Sequence, residues 1–191
     1  MSQSVKDDHG KYESVQIGSQ LWMAKNLNID RLRNGDIIPE AKTAKEWEMA
    51  VQKRKPAWCY YNNDPANGKK YGRLYNWYAI NDPRGLAPEG WHIPTEAEFQ
   101  KLSENINVLK ATGHGTGPRT GTNETGLSAL LAGGHFYSSY FNDLAYYTSN
   151  LNSTEYDTAN ASNAGLGSDL GCYYNIMSFG FSIRCLEDES V

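Results

Sequence analysis

The stretch Phe179-Gly180-Phe181-Ser182-Ile183-Arg184-Cys185 decides how the C-terminal half of this chain can fold, because it is a compact, partly aromatic ending to a region of small polar residues. We expect a closing strand over residues 179–187. The 46 residues 134–179 contain 34 Asn, Tyr, Ser, Thr, Asp, Ala or Gly residues. A disordered low-complexity segment is one interpretation. However, the region also holds seven Tyr and three Phe, and disordered segments are poor in aromatic residues. We therefore expect an ordered region that displays these side chains.

The composition of residues 134–179 is typical of a binding surface. Tyr offers a large, rigid contact area, and Ser, Gly and Asn offer small, adaptable polar contacts, as in antibody combining loops. The region has no Lys, Arg or Gln, and few long side chains would therefore have to be ordered on binding. Tyr would anchor a ligand, Asn and Ser would adapt to its polar groups, and Asp169 would select a basic or hydroxyl-bearing partner. The candidate ligand-binding residues are Tyr137, Tyr140, Tyr146, Tyr147, Asn150, Asn152, Ser162, Asn163, Ser168, Asp169, Tyr173, Tyr174 and Asn175.

Length and charge exclude several classes of protein. A chain of 191 residues with 39% apolar and 21% charged residues fits one globular domain. It lacks an apolar run of 18 residues, and direct membrane insertion is therefore not expected. The net charge of −4 argues against a nucleic-acid partner. Charge is also uneven, since 17 of the 18 basic residues precede residue 120 and only Arg184 follows it. This asymmetry in charge suggests that the two parts of the chain form surfaces with different functions.

The N-terminal half carries the clearest helix signals. Thr43 and Glu46 form a capping box that predicts a helix over 43–53, and Thr95 with Glu98 predicts a second helix over 95–109. We expect both helices to pack on a small sheet through Trp47, Phe99, Leu102 and Ile106.

The remainder of the chain favours short strands and turns. Residues 12–18 alternate and end in Gly, 20–23 continue as a second strand, and 32–38 are expected to pair around Asn34-Gly35. The stretch 63–68 is expected to be a turn. Two helices, a small twisted antiparallel sheet and long loops together indicate an α+β fold.

The sequence does not assemble an active site. The four His residues are scattered, and the Gly-rich stretch 113–121 lacks the Gly-Lys-Ser/Thr ending of a phosphate-binding loop. Cys59 and Cys185 are flanked by apolar and aromatic residues, which indicates buried thiols or one disulfide rather than a nucleophile. We expect neither a cofactor, nor a metal site, nor a catalytic residue. The carboxylates of the Asn-rich region do not follow a calcium-binding pattern, so calcium should not be required.

Six segments, in order along the chain, resemble the Fibrobacter succinogenes major paralogous domain, which is abundant in surface lipoproteins of gut Bacteroidota. These segments are Val15–Leu27, Tyr60–Asp64, Tyr71–Ala79, Gly90–Thr95, Thr125–Leu130 and Gly180–Cys185. The resemblance covers residues 12–187 as a single domain, with polar tails at 1–11 and 188–191. It implies a C-type lectin-like fold in the branch related to formylglycine-generating enzymes.

Two departures bear on what the resemblance implies. Leu151 stands where family members usually carry Trp within an aromatic-Trp-Ser-Ser-Thr segment. The cysteines do not match the catalytic pair of formylglycine-generating enzymes, so an enzyme of that type would lack its nucleophile. An enzyme is therefore not expected.

Residues 134–179 also resemble the variable region of proteins diversified by retroelements, which use the C-type lectin-like fold. Mutagenesis of AAC or AAT codons yields residues such as Asn, Tyr, Ser, Thr and Asp, and cannot yield Lys, Glu, Gln, Trp or Met. Glu155 and Met177 would then be fixed positions. Such proteins recognise receptors from bacterial surfaces and phage tips.

The resemblance leaves the setting and the partner open. The first ten residues lack the apolar stretch of a signal peptide. We therefore expect either that the chain is not exported through a signal peptide, or that it starts after a removed signal or lipoprotein leader. We expect a phage virion or a cell surface, with a cell-surface protein or glycan as the ligand, and an oligomer is possible. The alternative is a surface lipoprotein or adhesin domain whose ligand-binding region does not vary.

Overall fold

The computed structural model describes residues 4–6, 12–102, 106–114, 117, 120–130, 132–136, 140–144, 148–155, 160–166, 170–176 and 178–189. Within these ranges the chain forms four α-helices and thirteen strands in two sheets. The expected α+β class is confirmed. The candidate ligand-binding residues Tyr137, Tyr146, Tyr147, Ser168 and Asp169 lie outside the described residues.

The first sheet is antiparallel and has the strand order β1-β2-β3-β13-β6. Its strands are β1 (Ser4–Lys6), β2 (Glu13–Ile17), β3 (Gln20–Met23), β6 (Trp91–His92) and β13 (Leu186–Glu187). The strands predicted at 12–18 and 20–23 are confirmed as β2 and β3. Strand β1 lies in the segment expected to be a tail and pairs with β2.

The second sheet has the order β11-β10-β9-β7-β12-β5-β4, with β8 paired to β7. Its strands are β4 (Trp58–Cys59), β5 (Leu74–Asn76), β7 (Ala132–Phe136), β8 (Tyr140–Leu144), β9 (Thr148–Glu155), β10 (Asn160–Leu166), β11 (Leu170–Ile176) and β12 (Gly180–Phe181). The pairs are antiparallel apart from β7 with β9, which are parallel where Gly133 meets Thr148.

The closing segment differs from the single strand expected over 179–187. Strand β12 belongs to the second sheet and β13 to the first. Between them, the carbonyl groups of Ile183 and Cys185 accept hydrogen bonds from the backbone N–H groups of Leu27 and Met23, at 2.7 and 3.0 Å. One buried segment therefore has to change sheets, and this is why the strand is interrupted.

The two predicted helices are present, but one is shorter than expected. Helix α1 (Ala44–Gln52) begins with the Thr43–Glu46 capping box, and α4 (Glu96–Gln100) begins with the capping box of Thr95 and Glu98. The expectation that the second helix reaches residue 109 is wrong, because its last backbone hydrogen bonds tighten into three-residue turns and Ile106–Val108 is a separate 3₁₀ turn. The side chain of Ile106 lies outside the described residues.

Two helices were missed, so the expected number of helices is wrong. Helix α2 (Pro65–Tyr71) begins at Asp64, whose side chain accepts a hydrogen bond from the backbone N–H of Ala66 at 2.9 Å. This helix replaces most of the turn expected at 63–68. Helix α3 (Trp77–Ile80) is capped in the same way by Asn76, which accepts from Ala79. Both are short helices inside turn-rich sequence, where capping residues also resemble turn residues.

The core is built around aromatic residues from both halves of the chain. All five Trp residues are buried, namely Trp22, Trp47, Trp58, Trp77 and Trp91. Phe99 and Leu102 pack with Trp22 in one cluster, and Trp47 packs with Cys59 in another, as the sequence predicted for these helix faces. The expected pairing of 32–38 is reduced to one antiparallel bridge between Arg31 and Ile37, with Gly35 at φ 92° in the turn.

Candidate functional site

The candidate site is an antiparallel ribbon of three strands, β9, β10 and β11, at the edge of the second sheet. Strand β11 is the outermost strand, and β9 joins the ribbon to β7. The sequence predicted mainly short strands and loops for this part of the chain. The three strands of the ribbon are instead seven or eight residues long. An edge strand has backbone N–H and C=O groups that no neighbouring strand pairs, so β11 could pair with a ligand in an extended conformation.

Eight candidate residues lie on described strands. Tyr140 is on β8, Asn150 and Asn152 are on β9, Ser162 and Asn163 are on β10, and Tyr173, Tyr174 and Asn175 are on β11.

The strand register pairs several of these residues directly. Asn163 is opposite Tyr173, and Ser162 is opposite Tyr174. Successive residues of a strand belong to opposite faces of a sheet, so the register assigns these two pairs to the two faces of the ribbon. Strand β9 approaches helix α3, and β10 approaches helix α4. A ligand that approaches one face would therefore meet one set of pairs, and the other set would lie on the opposite face.

Both ends of the candidate region are fixed to each other. Strands β7 and β12 are antiparallel neighbours in which His135 is opposite Gly180 and Gly134 is opposite Phe181. The chain thus leaves the scaffold at residue 136 and returns at residue 179, at adjacent positions of one sheet. The ring of Phe136 lies edge-on to those of Phe179 and Phe181, with centroids 5.1 and 5.5 Å apart. The base of the region is a packed aromatic contact.

Trp47, on helix α1, holds both ends of the region. Its indole N–H donates a hydrogen bond to the carbonyl oxygen of Ser178 at 2.8 Å, and its ring lies 4.4 Å from that of His135. A Cβ added at Gly180 would lie 2.5 Å from the Trp47 ring, so only glycine fits against the indole. The sequence predicted that Trp47 would be buried. No feature of helix α1 indicated that it would contact Ser178, which is 131 residues further along the chain.

His135 has an environment that the sequence did not indicate. His135 is only 3% exposed, and its ring lies between those of Trp47 and Phe141, whose ring centroids are 4.4 and 4.7 Å away. Burial lowers the pKa of His135 to about 4, because the charged imidazolium is disfavoured away from water. His135 is therefore neutral at physiological pH and is part of the aromatic base of the region.

The single basic residue of the C-terminal part, Arg184, is inside the protein. Its guanidinium donates hydrogen bonds to the carbonyl oxygen of Leu127 and to the side-chain oxygen of Asn26, at 3.0 and 3.1 Å for the latter. Burial lowers the pKa of Arg184 to about 10, which leaves it protonated at neutral pH. Its role is to connect three segments of the scaffold.

His92 has two carboxylate partners that its sequence context did not reveal. Its Nδ1 lies 2.7 Å from Asp188 and its Nε2 lies 3.0 Å from Glu98. Burial raises the pKa of Glu98, but hydrogen bonds from Thr95 and His92 outweigh this effect, so the net pKa lies below its usual value. This arrangement attaches the C-terminal segment to helix α4. Among the described residues, no group of three or more His, Cys, Asp or Glu side chains is placed to hold a metal ion.

The described thiols are unsuited to nucleophilic chemistry. Cys59 and Cys185 are both buried and both free, which confirms the buried-thiol interpretation and overturns the disulfide alternative for this pair. Burial raises the pKa of the Cys185 thiol to about 12 and raises that of Cys59 further. Since the thiolate is the reactive form, neither side chain would attack a substrate at neutral pH.

Comparison with known proteins identifies a family. The family model described as the Fibrobacter succinogenes major domain matches residues 15–187, nearly the whole chain, so the chain belongs to this family. Neither the curated proteins nor the solved structures gave a significant match. In the part of the chain that the structure describes, no helix is long and apolar enough to cross a membrane.

Proposed function

We propose that this member of the Fibrobacter succinogenes major domain family is a ligand-binding domain with a C-type lectin-like fold, not an enzyme. Residues 137–177, which we call the recognition region, would contact a cell-surface protein or glycan without covalent chemistry. The observation that carries this proposal is the pairing of His135 with Gly180 and of Gly134 with Phe181. The scaffold holds the two ends of the recognition region side by side.

The pairing of the two ends of the recognition region favours a recognition role for a physical reason. When two adjacent strands fix the ends of an insertion, changes within it do not alter the distance that it must span. Insertions of this kind tolerate substitution when their own residues contribute little to the scaffold. The contacts of Trp47 with Ser178, His135 and Gly180 lie just outside the recognition region. The scaffold can therefore remain constant while the residues between these contacts change, apart from Phe141, whose ring packs against His135.

Composition supports the same role. The recognition region is rich in Tyr, Asn and Ser, which combine apolar area with polar groups at a low entropic cost of ordering. The five Trp side chains are all buried, so none of them provides an exposed platform for a ligand. Recognition would consequently rest on Tyr and Asn, among them Asn163 and Tyr173, which are cross-strand partners.

We further propose that the recognition region is of the type diversified by retroelements, on a bacterial surface or a phage virion. Sequencing the locus in sibling isolates tests this finer proposal. Substitutions concentrated at Asn, Tyr and Ser codons of residues 137–177 would support it. An invariant recognition region would support the surface lipoprotein or adhesin domain instead.

A binding experiment tests the broader proposal. The purified protein is applied to arrays of bacterial surface glycans and surface proteins, together with a variant in which Asn163, Tyr173 and Asn175 are replaced by Thr. A matched control carries Lys45→Thr and Met49→Thr on the exposed part of helix α1. We expect the wild type and the control to bind the same ligands, and the recognition-region variant to lose them while keeping its melting temperature. Equal binding by the recognition-region variant would refute the proposal.

A further inference from the structure

A cavity lies away from the recognition region. It has a volume of about 520 Å³, and its walls are the segment 28–33 and residues Leu86, Pro88 and Glu89, together with Tyr12 and Arg73. Among the described residues, strands β8 to β11 contribute nothing to its lining. Small-molecule sites in proteins commonly have volumes of 300–1,000 Å³. The cavity is therefore large enough for a sugar-sized ligand.

The lining of this cavity carries an excess of positive charge. The lining includes three arginines, Arg31, Arg33 and Arg73, and two carboxylate residues, Asp30 and Glu89. Within the described part of the chain, one ion pair joins these groups, between Arg73 and Asp30 at the long distance of 3.9 Å. The side chain of Arg73 is only 12% exposed, and no hydrogen-bond partner of its Nε lies among the described residues. The guanidinium also contacts the hydroxyl group of Tyr60 at 3.5 Å. Because the arginines of the lining outnumber its carboxylates by three to two, the cavity favours an anionic ligand.

The walls of the cavity are held in place before any ligand binds. The hydroxyl group of Tyr75 donates to the carbonyl oxygen of Ile29 at 2.7 Å and accepts from its backbone N–H at 2.9 Å. Arg33 crosses to the opposite wall and donates to the carbonyl oxygens of Ala87 and Trp91 at 3.1 and 3.2 Å. The guanidinium of Arg73 stacks on the Trp58 ring, 3.9 Å from its centroid. A preformed site loses little free energy to reorganisation on binding.

The other lining groups suit hydroxyl groups and a sugar ring. Asp30 and Glu89 are carboxylates that accept hydrogen bonds from hydroxyl groups, and Asn28 adds an amide. Tyr12 contributes an aromatic ring, which rests edge-on against Trp91 with centroids 6.2 Å apart. A ligand with one carboxylate, several hydroxyl groups and an apolar ring face would match this set better than a simple anion does.

We propose that this cavity binds a uronic acid, that is, a hexose unit whose carboxylate pairs with the lining arginines Arg31 and Arg73. The proposal concerns a site separate from the recognition region and does not depend on the function proposed for it. The carboxylate would form charge-assisted hydrogen bonds with guanidinium groups, which are about twice as strong as neutral ones. The hydroxyl groups would be directed towards Asp30 and Glu89.

Nuclear magnetic resonance titration of the intact protein tests this proposal. The probes are methyl β-glucuronide and methyl β-galacturonide, with methyl β-glucoside and inorganic phosphate as comparisons. We expect at least one uronide to shift the amide signals of Ile29, Leu32 and Leu86 with saturation. The neutral glycoside should bind at least about tenfold more weakly, since one lost charge-assisted contact has about that effect. Phosphate should not saturate in the same concentration range.

Two variants with the same change of charge distinguish binding in the cavity from general electrostatic attraction of the uronide to the protein. Arg31→Gln removes a guanidinium from the cavity, where it donates an exposed hydrogen bond to the carbonyl oxygen of Gly35. Arg54→Gln removes an exposed arginine that does not line the cavity. We expect Arg31→Gln to weaken uronide binding about tenfold and Arg54→Gln to leave it unchanged. The proposal is overturned if neither uronide shifts these signals, if glucoside or phosphate binds equally well, or if both variants weaken binding alike.

Discussion

The indole Nε1 of Trp47 donates a hydrogen bond of 2.8 Å to the carbonyl oxygen of Ser178, 131 residues further along the chain. The same ring packs against His135 at the other end of the recognition region. One residue of helix α1 thus fixes the point where the chain enters this region and the point where it leaves. The helix is itself fixed by the Thr43–Glu46 capping box, so a local signal at residue 43 helps to position the C-terminal half.

The contact between Trp47 and Gly180 should appear as energetic coupling. Gly180→Ala places a methyl group about 2.5 Å from the indole, and overpacking of this kind typically costs about 1–3 kcal/mol. Trp47→Phe removes the outer ring and the hydrogen bond to Ser178. The double variant should therefore be more stable than the sum of the two single losses predicts, by about 0.5–3 kcal/mol. Denaturant unfolding of all four proteins measures this difference.

A control on the same helix separates this coupling from a general loss of helix packing. Met49 is 41% exposed on α1. Met49→Ala, combined with Gly180→Ala, should give additive losses. Additive losses for the Trp47 and Gly180 pair as well would show that the indole does not restrict position 180.

Acid should destabilise the protein partly through His135. Its folded-state pKa of about 4 lies below the usual value of 6.5, so the unfolded chain binds a proton more readily. The contribution of His135 to the free energy of unfolding is fully present above about pH 6.5. It falls as the pH drops towards 4, by up to about 3 kcal/mol. His135→Phe should remove this part of the decline, measured as the free energy of unfolding between pH 7 and pH 4. An unchanged pH profile in this variant would show that His135 is accessible to protons in the folded protein.

Arg184 should not be replaceable by lysine. Its guanidinium serves both Leu127 and Asn26, and a lysine ammonium lacks the planar group that reaches both acceptors. Arg184→Lys should cost about 3 kcal/mol, since hydrogen bonds to charged groups are worth about 1.5–3 kcal/mol each. Arg31→Lys is the control at an exposed arginine that donates a hydrogen bond to the carbonyl oxygen of Gly35, where the loss should stay within about 0.5 kcal/mol. Equal losses in thermal unfolding would contradict the role assigned to Arg184.

The thiols of Cys59 and Cys185 should react only when the protein unfolds. Both are buried and free, and burial raises their pKa values. In a Cys172→Ser variant, which leaves these two thiols, an aromatic disulfide reagent at pH 8 should label none in the native state. It should label two in denaturant without prior reduction. Rapid labelling of the native protein would show an accessible thiol, and labelling of none in denaturant would show a disulfide.

Local signals predicted the parts of the fold that depend on neighbouring residues. The capping boxes at Thr43 and Thr95 correctly gave the starts of two helices, and alternation correctly gave β2 and β3. The Asp64 cap of helix α2 carried a usable signal, an Asp followed by Pro at the first helical position, but the same residues also favour turns.

Long-range features could not be predicted in the same way. No local pattern indicated that the segment 179–187 contributes to both sheets, or that His92 would meet Asp188. The composition of the recognition region did not specify its register, because a shift of one residue exchanges the two faces of a strand without changing the composition. The pairing of Asn163 with Tyr173 therefore required the structure.

The most direct test of the central claim compares the melting temperatures of two variants. The first replaces Asn163, Ser168, Tyr173 and Tyr174 of the recognition region with Thr, and the second is Trp91→Ala in the core, where Trp91 is only 1% exposed. If the recognition region is displayed by an independent scaffold, the fourfold variant should lose at most about 2 kcal/mol, or about 0.5 kcal/mol per position. Trp91→Ala should lose about 3–5 kcal/mol. A fourfold variant that unfolds as readily as Trp91→Ala would show that these residues belong to the core and would contradict the account.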